Sequence, residues 1–342
     1  MVSKKSVLGV VAGMLLAAGT FEVADAATHV QKSNAIQQYS SSSLRTVNNS
    51  KVKFVKANPN YPGSGSTIKS VSGTKWTLKQ KYLLQGNWGK DNTNPQAAAF
   101  AGKYLFVLYA PHSLKGKGYI IRYNKSVLDK NKPENFIGLS AKKAGVKVGG
   151  YFTVGHGQSL AYDKKTNSLW MWRDSVNMAP TKWSTIQRIS KSSLKPDKAI
   201  KFYMNNRGAK VPAGHNLTFD TSGHAYWWTI SGGKVKVYRG KISGNKIKVV
   251  LTKQMFAHQT GTHQQAMGYN PHNGRLYLVS DDSIASFPAK KTYGRGSLTN
   301  GSFKYTKFRS HREFESLIFD KSGHGMLLTN RQPQLMRSTT AY

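Results

Sequence analysis

The sequence predicts an all-β chain, on three observations. After Trp76 it reads as short runs of alternating apolar and polar residues, broken by Gly, Asn and Asp. Almost no stretch holds a helical period, "SVLDKN" at 126–131 being the best. One strand-turn-strand phrase also recurs, as "GQSLAYDKKTNSLWMW", "GHNLTFDTSGHAYWWT", "HQQAMGYNPHNGRLYLVS" and "FESLIFDKSGHGMLLT".

Taken in order, Met1 to Ala26 carries Lys4 and Lys5, the apolar run "VLGVVAGMLLAAGTF" and the small residues "ADA", the pattern of a cleaved export signal. No second apolar run of about 20 residues follows, so the expectation is a secreted product with no transmembrane segment. Residues 27–73 are poor in large apolar groups and rich in Ser, Asn, Lys and Gly. Such a composition predicts a disordered arm. The folded part is expected over 74–342.

The repeats are anchored on Phe100, Tyr162, Phe219, Tyr269 and Phe319, with Asp163, Asp220, Asp320 or Asn270 following four of them. These acids read as turn formers. About eight residues beyond each anchor comes an apolar strand: "YLFVLY", "SLWMW", "AYWWT", "RLYLVS" and "GMLLT". Third strands follow as "GYIIRYN", "STIQRIS", "KVKVYRG", "SIASFPA" and "QLMRST", and fourth strands as "NFIGLSA", "AIKFYMN", "KIKVVLT" and "FKYTKF". The last copy ends at Tyr342 with three strands, and "WTLKQKYLLQG" at 76–86 is the unused strand that completes it. Five copies of four strands, joined end to end, predict a five-bladed β-propeller closed by an N-terminal strand paired with the C-terminal blade. Closure removes the exposed sheet edges that invite aggregation. A large sandwich or two smaller β domains is the competing arrangement. Trp170, Trp172, Trp227 and Trp228 fall on second strands, where packing between blades is expected and a sugar-stacking platform is the alternative.

There is no cysteine, hence no disulfide and no thiolate chemistry. The 51 Lys and Arg against 14 Asp and Glu give a net charge of +37. That excess is far beyond what solubility requires, and it attracts polyanions. For an exported chain the expected partner is an anionic cell-envelope polymer of the teichoic acid type, or a glycan, on a bacterial surface; nucleic acid is not expected. Electrostatic retention on a Gram-positive wall would follow.

Just before each anchor stands a polar cluster, in "NPQ", "GHGQ", "GHN", "THQQ" and "HREFE". These clusters are expected at one mouth of the axial channel. They supply Gln96, His156, Gln158, His215, His263, Gln265, His311 and Glu315 as candidate ligand-binding residues. Three uses are open: tying each loop to the neighbouring blade, binding a polar ligand, or holding a metal through the four histidines. No metal or other cofactor is expected. As an alternative, Asp91, Asp174 and Glu315 (or Glu313) are the carboxylates a five-bladed glycoside hydrolase would use. No phosphate loop, "HExxH" or "GxSxG" is present.

The hairpins "HREFESLIFDKSGHGMLLT" and "GHGQSLAYD", with His, then Gln or Glu, then a short apolar strand, resemble the repeats of the helveticin J family, large bacteriocins secreted by lactobacilli, and their extracellular relatives. The resemblance covers the His-led hairpins of the second, fourth and fifth copies. It implies an exported, antibacterial or envelope-associated propeller and supplies no catalytic residue.

Overall fold

The computed structural model describes residues 26–31, 45–52, 55–56, 65–88, 91–92, 94–128, 145–175, 183–206, 209–210, 214–294, 296–330 and 333–342. Among these, regular helix is confined to single turns such as Lys125–Leu128 and Lys290–Tyr293, and the rest of the regular structure is strand.

Each repeat is an antiparallel meander. In the first, Pro95–Ala101, Tyr104–Tyr109, Lys117–Asn124 and Val146–Val148 lie side by side. The second runs Ala161–Asp163, Ser168–Arg173, Ser184–Ile189 and Pro196–Phe202. The third is Thr218–Phe219, His224–Ser231, Lys234–Ser243 and Lys246–Phe256. The fourth is Met267–Asn270, Arg275–Ser280, Ser283–Pro288 and Lys304–Phe308. The fifth has Phe314–Phe319, His324–Thr329 and Gln334–Ala341, and Thr77–Leu83 from the far end of the chain completes it, with Leu335 opposite Tyr82 and Ser338 opposite Leu78.

The Asp or Asn after four of the anchors has a local cause. Asp220 Oδ1 accepts the main-chain N–H of Ser222 and of His224, both at 2.9 Å, and Asp320 does the same for Ser322 and His324. Asp163 accepts from Lys165 at 2.9 Å and Asn270 from His272 at 2.9 Å. A short side-chain acceptor closing a turn two residues on helps hold the first hairpin of the second to fifth repeats shut.

Innermost strands contact one another in chain order, and the last of them, Phe314–Phe319, contacts the first, Pro95–Ala101. The cores follow the same cycle, each filled from two successive repeats; Leu105 and Tyr123 of the first share one with Met326 and Leu335 of the last. Alternate residues of one strand feed different cores: Leu169 and Met171 pack towards the first repeat, Trp170 and Trp172 towards the third. Strands covered on both faces must be apolar throughout, which accounts for "SLWMW" and "AYWWT". Trp172 meets Trp227 edge to face with ring centres 5.0 Å apart. All four tryptophans are buried, so they are packing residues and no sugar platform. The chain is thus all-β and propeller-like in arrangement.

Two expectations are corrected or displaced. The stretch 27–73 is not a disordered arm where it is described. Thr28–Val30 pairs in parallel with Pro196–Phe202, Arg45–Val47 pairs in parallel with Lys246–Phe256, and Thr67–Gly73 lies antiparallel between Lys304–Phe308 and Thr77–Leu83. The stretch places single apolar residues, Val47, Val52 and Ile68, in the cores and adds polar bonds to the main chain of the repeats. Gln31 exchanges two hydrogen bonds with the main chain of Ile247, at 3.2 and 2.9 Å, and Asn49 two with that of His258, both at 2.8 Å. Secondly, "NFIGLSA" lies outside the described residues, and Val146–Val148 occupies the fourth place of the first repeat. The export signal also lies outside them, apart from Ala26. Among the described residues no helix is long and apolar enough to cross a membrane.

Candidate functional site

Four residues before each anchor stand Gln96, Gln158, His215, Gln265 and Glu315, and all are buried. Glu315, only 1% exposed, is the hub of this polar end of the axis. Its Oε1 accepts from Gln96 Nε2 at 3.2 Å and Asn330 Nδ2 at 3.0 Å, and its Oε2 from Gln158 Nε2 at 2.8 Å. Gln158 also donates to the Glu315 main-chain carbonyl at 3.2 Å. One carboxyl therefore joins the first, second and fifth repeats. Burial pushes its pKa well above the carboxylate range, the charge of Glu313 and, less strongly, that of Asp281 add to this, and the donors Gln158 and Asn330 oppose it.

Asp174 links the second and third repeats. Its Oδ2 lies 2.9 Å from His215 Nδ1, its Oδ1 accepts the His156 main-chain N–H at 2.7 Å, and its side chain is 1% exposed. Facing a carboxylate, Nδ1 of His215 is the donor. The glycines of "GHGQ" and "GHN" are required by this packing. A Cβ on Gly155, at φ +72°, would sit 2.0 Å from the Asp174 carbonyl oxygen, and one on Gly214 would sit 2.3 Å from Trp172 Nε1. Asp281 links the fourth and fifth repeats: Oδ1 accepts the Phe314 N–H at 2.8 Å and Gln265 Nε2 at 3.5 Å, and Oδ2 lies 2.8 Å from His263 Nδ1. That hydrogen bond raises the His263 pKa, burial lowers it, and the charges of Asp281 and Glu313 raise it further; the side chain is 55% exposed.

The four histidines do not share one offset from the anchors: His156 and His263 stand six residues before theirs, His215 four and His311 eight. His311 is exposed, at φ +54°. Among the described residues no three His, Asp or Glu come together as a metal would need. Of Asp91, Asp174 and Glu315, the carboxylates of the hydrolase alternative, two are described with their side chains. Asp174 and Glu315 sit in separate hydrogen-bond sets, and Asp91 lies on the two-residue strand Asp91–Asn92, whose side chains are outside the described part. Asp281 and Asn330 were missed in the sequence, because "SDDS" reads as a turn and "TNRQ" as a loop.

The other end of the axis differs. The anchors Phe100, Tyr162, Phe219, Tyr269 and Phe319, with Lys164 beside them, line an open cavity of about 160 Å³ to which every innermost strand contributes. The sequence marks these aromatics as a repeat register; that they form a lining follows only once the strands are arranged in a cycle.

On the outside, cations stand opposite cations. Across the third and fourth strands Arg122 faces Lys147, Arg188 faces Lys198, Lys241 faces Lys248 and Arg337 faces Lys79. Arg188 and Arg337 also reach Asp197 and Asp320, at 2.7 and 3.0 Å. Most described acids are turned inward: Asp163, Asp220, Asp281, Asp282 and Glu315 are buried, as is the Asp174 side chain. Among the described Lys and Arg only Arg312 is buried.

No protein-family model matches the chain, and no curated protein matches it. Among solved structures it is similar to a luciferin-regenerating enzyme (9% identity, 84% of this chain and 92% of that one, TM-score 0.43). It is also similar to a glucose dehydrogenase (10%, 82% and 98%, TM-score 0.40) and to regucalcin, a calcium-binding protein of Agrobacterium tumefaciens (10%, 74% and 71%, TM-score 0.39). Likeness this low bears neither on what the chain binds nor on what it catalyses.

Proposed function

We propose that the chain is a five-bladed β-propeller, closed by its strand at 77–83, that is exported and binds anionic cell-envelope polymers through its cationic rim. The blade count is supported by the cyclic order of innermost strands and by cores that each join one repeat to the next, the last to the first. The binding reading rests on one observation: directly opposed cation pairs on the outer strands of four repeats. Like charges directly across a strand pair oppose folding. A polyphosphate chain laid along the rim would relieve that repulsion, and the inward acids leave few internal partners to do so. The antibacterial role implied by the helveticin J resemblance would be this binding exercised on neighbouring cells.

The test is retention on whole Gram-positive walls, and on walls stripped of teichoic acid, across a salt series. Retention should depend on the polymer and fall steeply as salt is raised above about 0.15 M. Replacing both Lys241 and Lys248 by Gln should flatten the salt dependence. Retention that ignores either salt or stripping would overturn the proposal, and a killing assay on the same cells separates attack from attachment. In the glycoside hydrolase alternative Asp174 and Glu315 would each have to act from within bonds to neighbours.

A further inference from the structure

We infer that the aromatic end of the axis is a sugar-binding pit, taking one ring of a glycosyl substituent carried by the anionic polymer; this rests on the function proposed above. The anchors Phe100, Tyr162, Phe219, Tyr269 and Phe319 come from all five innermost strands and line one cavity. Four of them remain partly exposed there, though the core offers aromatic side chains full burial elsewhere. An aromatic side chain left partly wet still offers apolar surface, and the C–H face of a sugar ring is a partner that brings hydroxyls with it.

The size fits that occupant. About 160 Å³ is on the order of ten times what one water needs, enough for a single ring. Hydroxyl-bearing Thr218, Thr221 and Ser316 stand among the aromatics in the lining, which suits a polyol better than a wholly apolar ligand. The charge around the pit matches an anionic carrier. Lys164 lines it, Lys125 Nζ lies 5.2 Å from the centre of the Phe100 ring, and Lys191 Nζ lies 5.7 Å from that of Tyr162. Asp220, the acid in the lining, is consumed by its own turn and by the Tyr226 hydroxyl at 3.0 Å. A neutral ring in the pit with its phosphates on the surrounding lysines is the arrangement these groups accommodate.

The experiment has two arms. In the first, wild-type protein, Tyr269→Ala and Tyr162→Ala are titrated with methyl glucoside, N-acetylglucosamine and glucose 1-phosphate, followed by nuclear magnetic resonance of the aromatic side chains. Saturable shifts confined to the pit aromatics in wild type, with affinity weakened about tenfold in the variants, support the inference. No saturable shift with any of the three sugars overturns it, and this wild-type measurement stands even if a variant does not fold. In the second arm, walls carrying glycosylated teichoic acid are compared with walls whose teichoic acid lacks sugar. Tighter retention on the glycosylated walls, lost in Tyr269→Ala, is expected. Equal retention on both would sink the pit assignment while leaving the rim proposal intact, whereas no retention on either would sink the rim proposal.

Discussion

At one end of the axis Gln96, Gln158, His215 and Glu315 are buried and bonded to other repeats, and Gln265 is buried and bonded to Asp281 of its own; four residues further along, Phe100, Tyr162, Phe219, Tyr269 and Phe319 surround an open cavity. The difference lies in how completely each set is satisfied. The carboxyl of Glu315 and the side-chain amides around it are turned on one another, so substitutions there should be read in stability. Four of the aromatics keep part of their surface open to the cavity, so substitutions there should be read in binding. Polar residues converging on an axis signal a joint when they find each other and a site when they do not.

The largest expected effect removes both ends together. Leu335→Pro interrupts the pairing of Gln334–Ala341 with Thr77–Leu83 and should cost about 3 kcal/mol or more, measured as a shift in the urea midpoint. Next, Glu315→Ala leaves the Gln96, Gln158 and Asn330 donors without an acceptor and should cost about 1–3 kcal/mol with rim binding unchanged. Tyr269→Ala should do the reverse, and equal effects of the two on stability and on sugar binding would erase the contrast between the ends.

The pH dependence sharpens it further. Glu315 holds its proton more tightly in the folded than in the unfolded chain. The stability this contributes is complete below the ordinary carboxyl value of about 4.3 and is lost as pH rises through the raised folded value. Glu315→Gln should therefore give urea midpoints that change less between about pH 4 and about pH 9, with the gain at the alkaline side. The smallest effect belongs to His263, whose raised pKa makes the same kind of contribution below about pH 6.5, lost as pH rises further. Since its side chain is mostly in water, His263→Gln should move the midpoint only slightly, even in acid.

Much of the strand order was legible because each repeat carries its own local signals. A turn acid two residues before the N–H it accepts, and a strand apolar on both faces, can be read without knowing what lies across the sheet. The closing strand was legible for a related reason, since a repeat with three strands implies a fourth elsewhere. The strands at 28–30, 45–47 and 67–73 were not, because their partners, such as the main chain bonded by Gln31 and Asn49 and the cores joined by Val47 and Ile68, lie mostly about two hundred residues or more away. Residue composition has no access to such partners. The site was half legible: the level of Gln96, Gln158, His215, Gln265 and Glu315 follows from a fixed offset to the anchors, but which donors each carboxyl would find depends on loops such as Asp281 and Asn330. The aromatics were visible all along, and only their convergence was hidden.

The strand at 77–83 is translated well before its partner at 334–341. Until that partner emerges the nascent chain holds an unfinished arc whose first and last walls face solvent. Closing it needs a contact of very long sequence separation, which makes that step slow. A chain with this wiring stays pliable for as long as residues 334–341 are withheld.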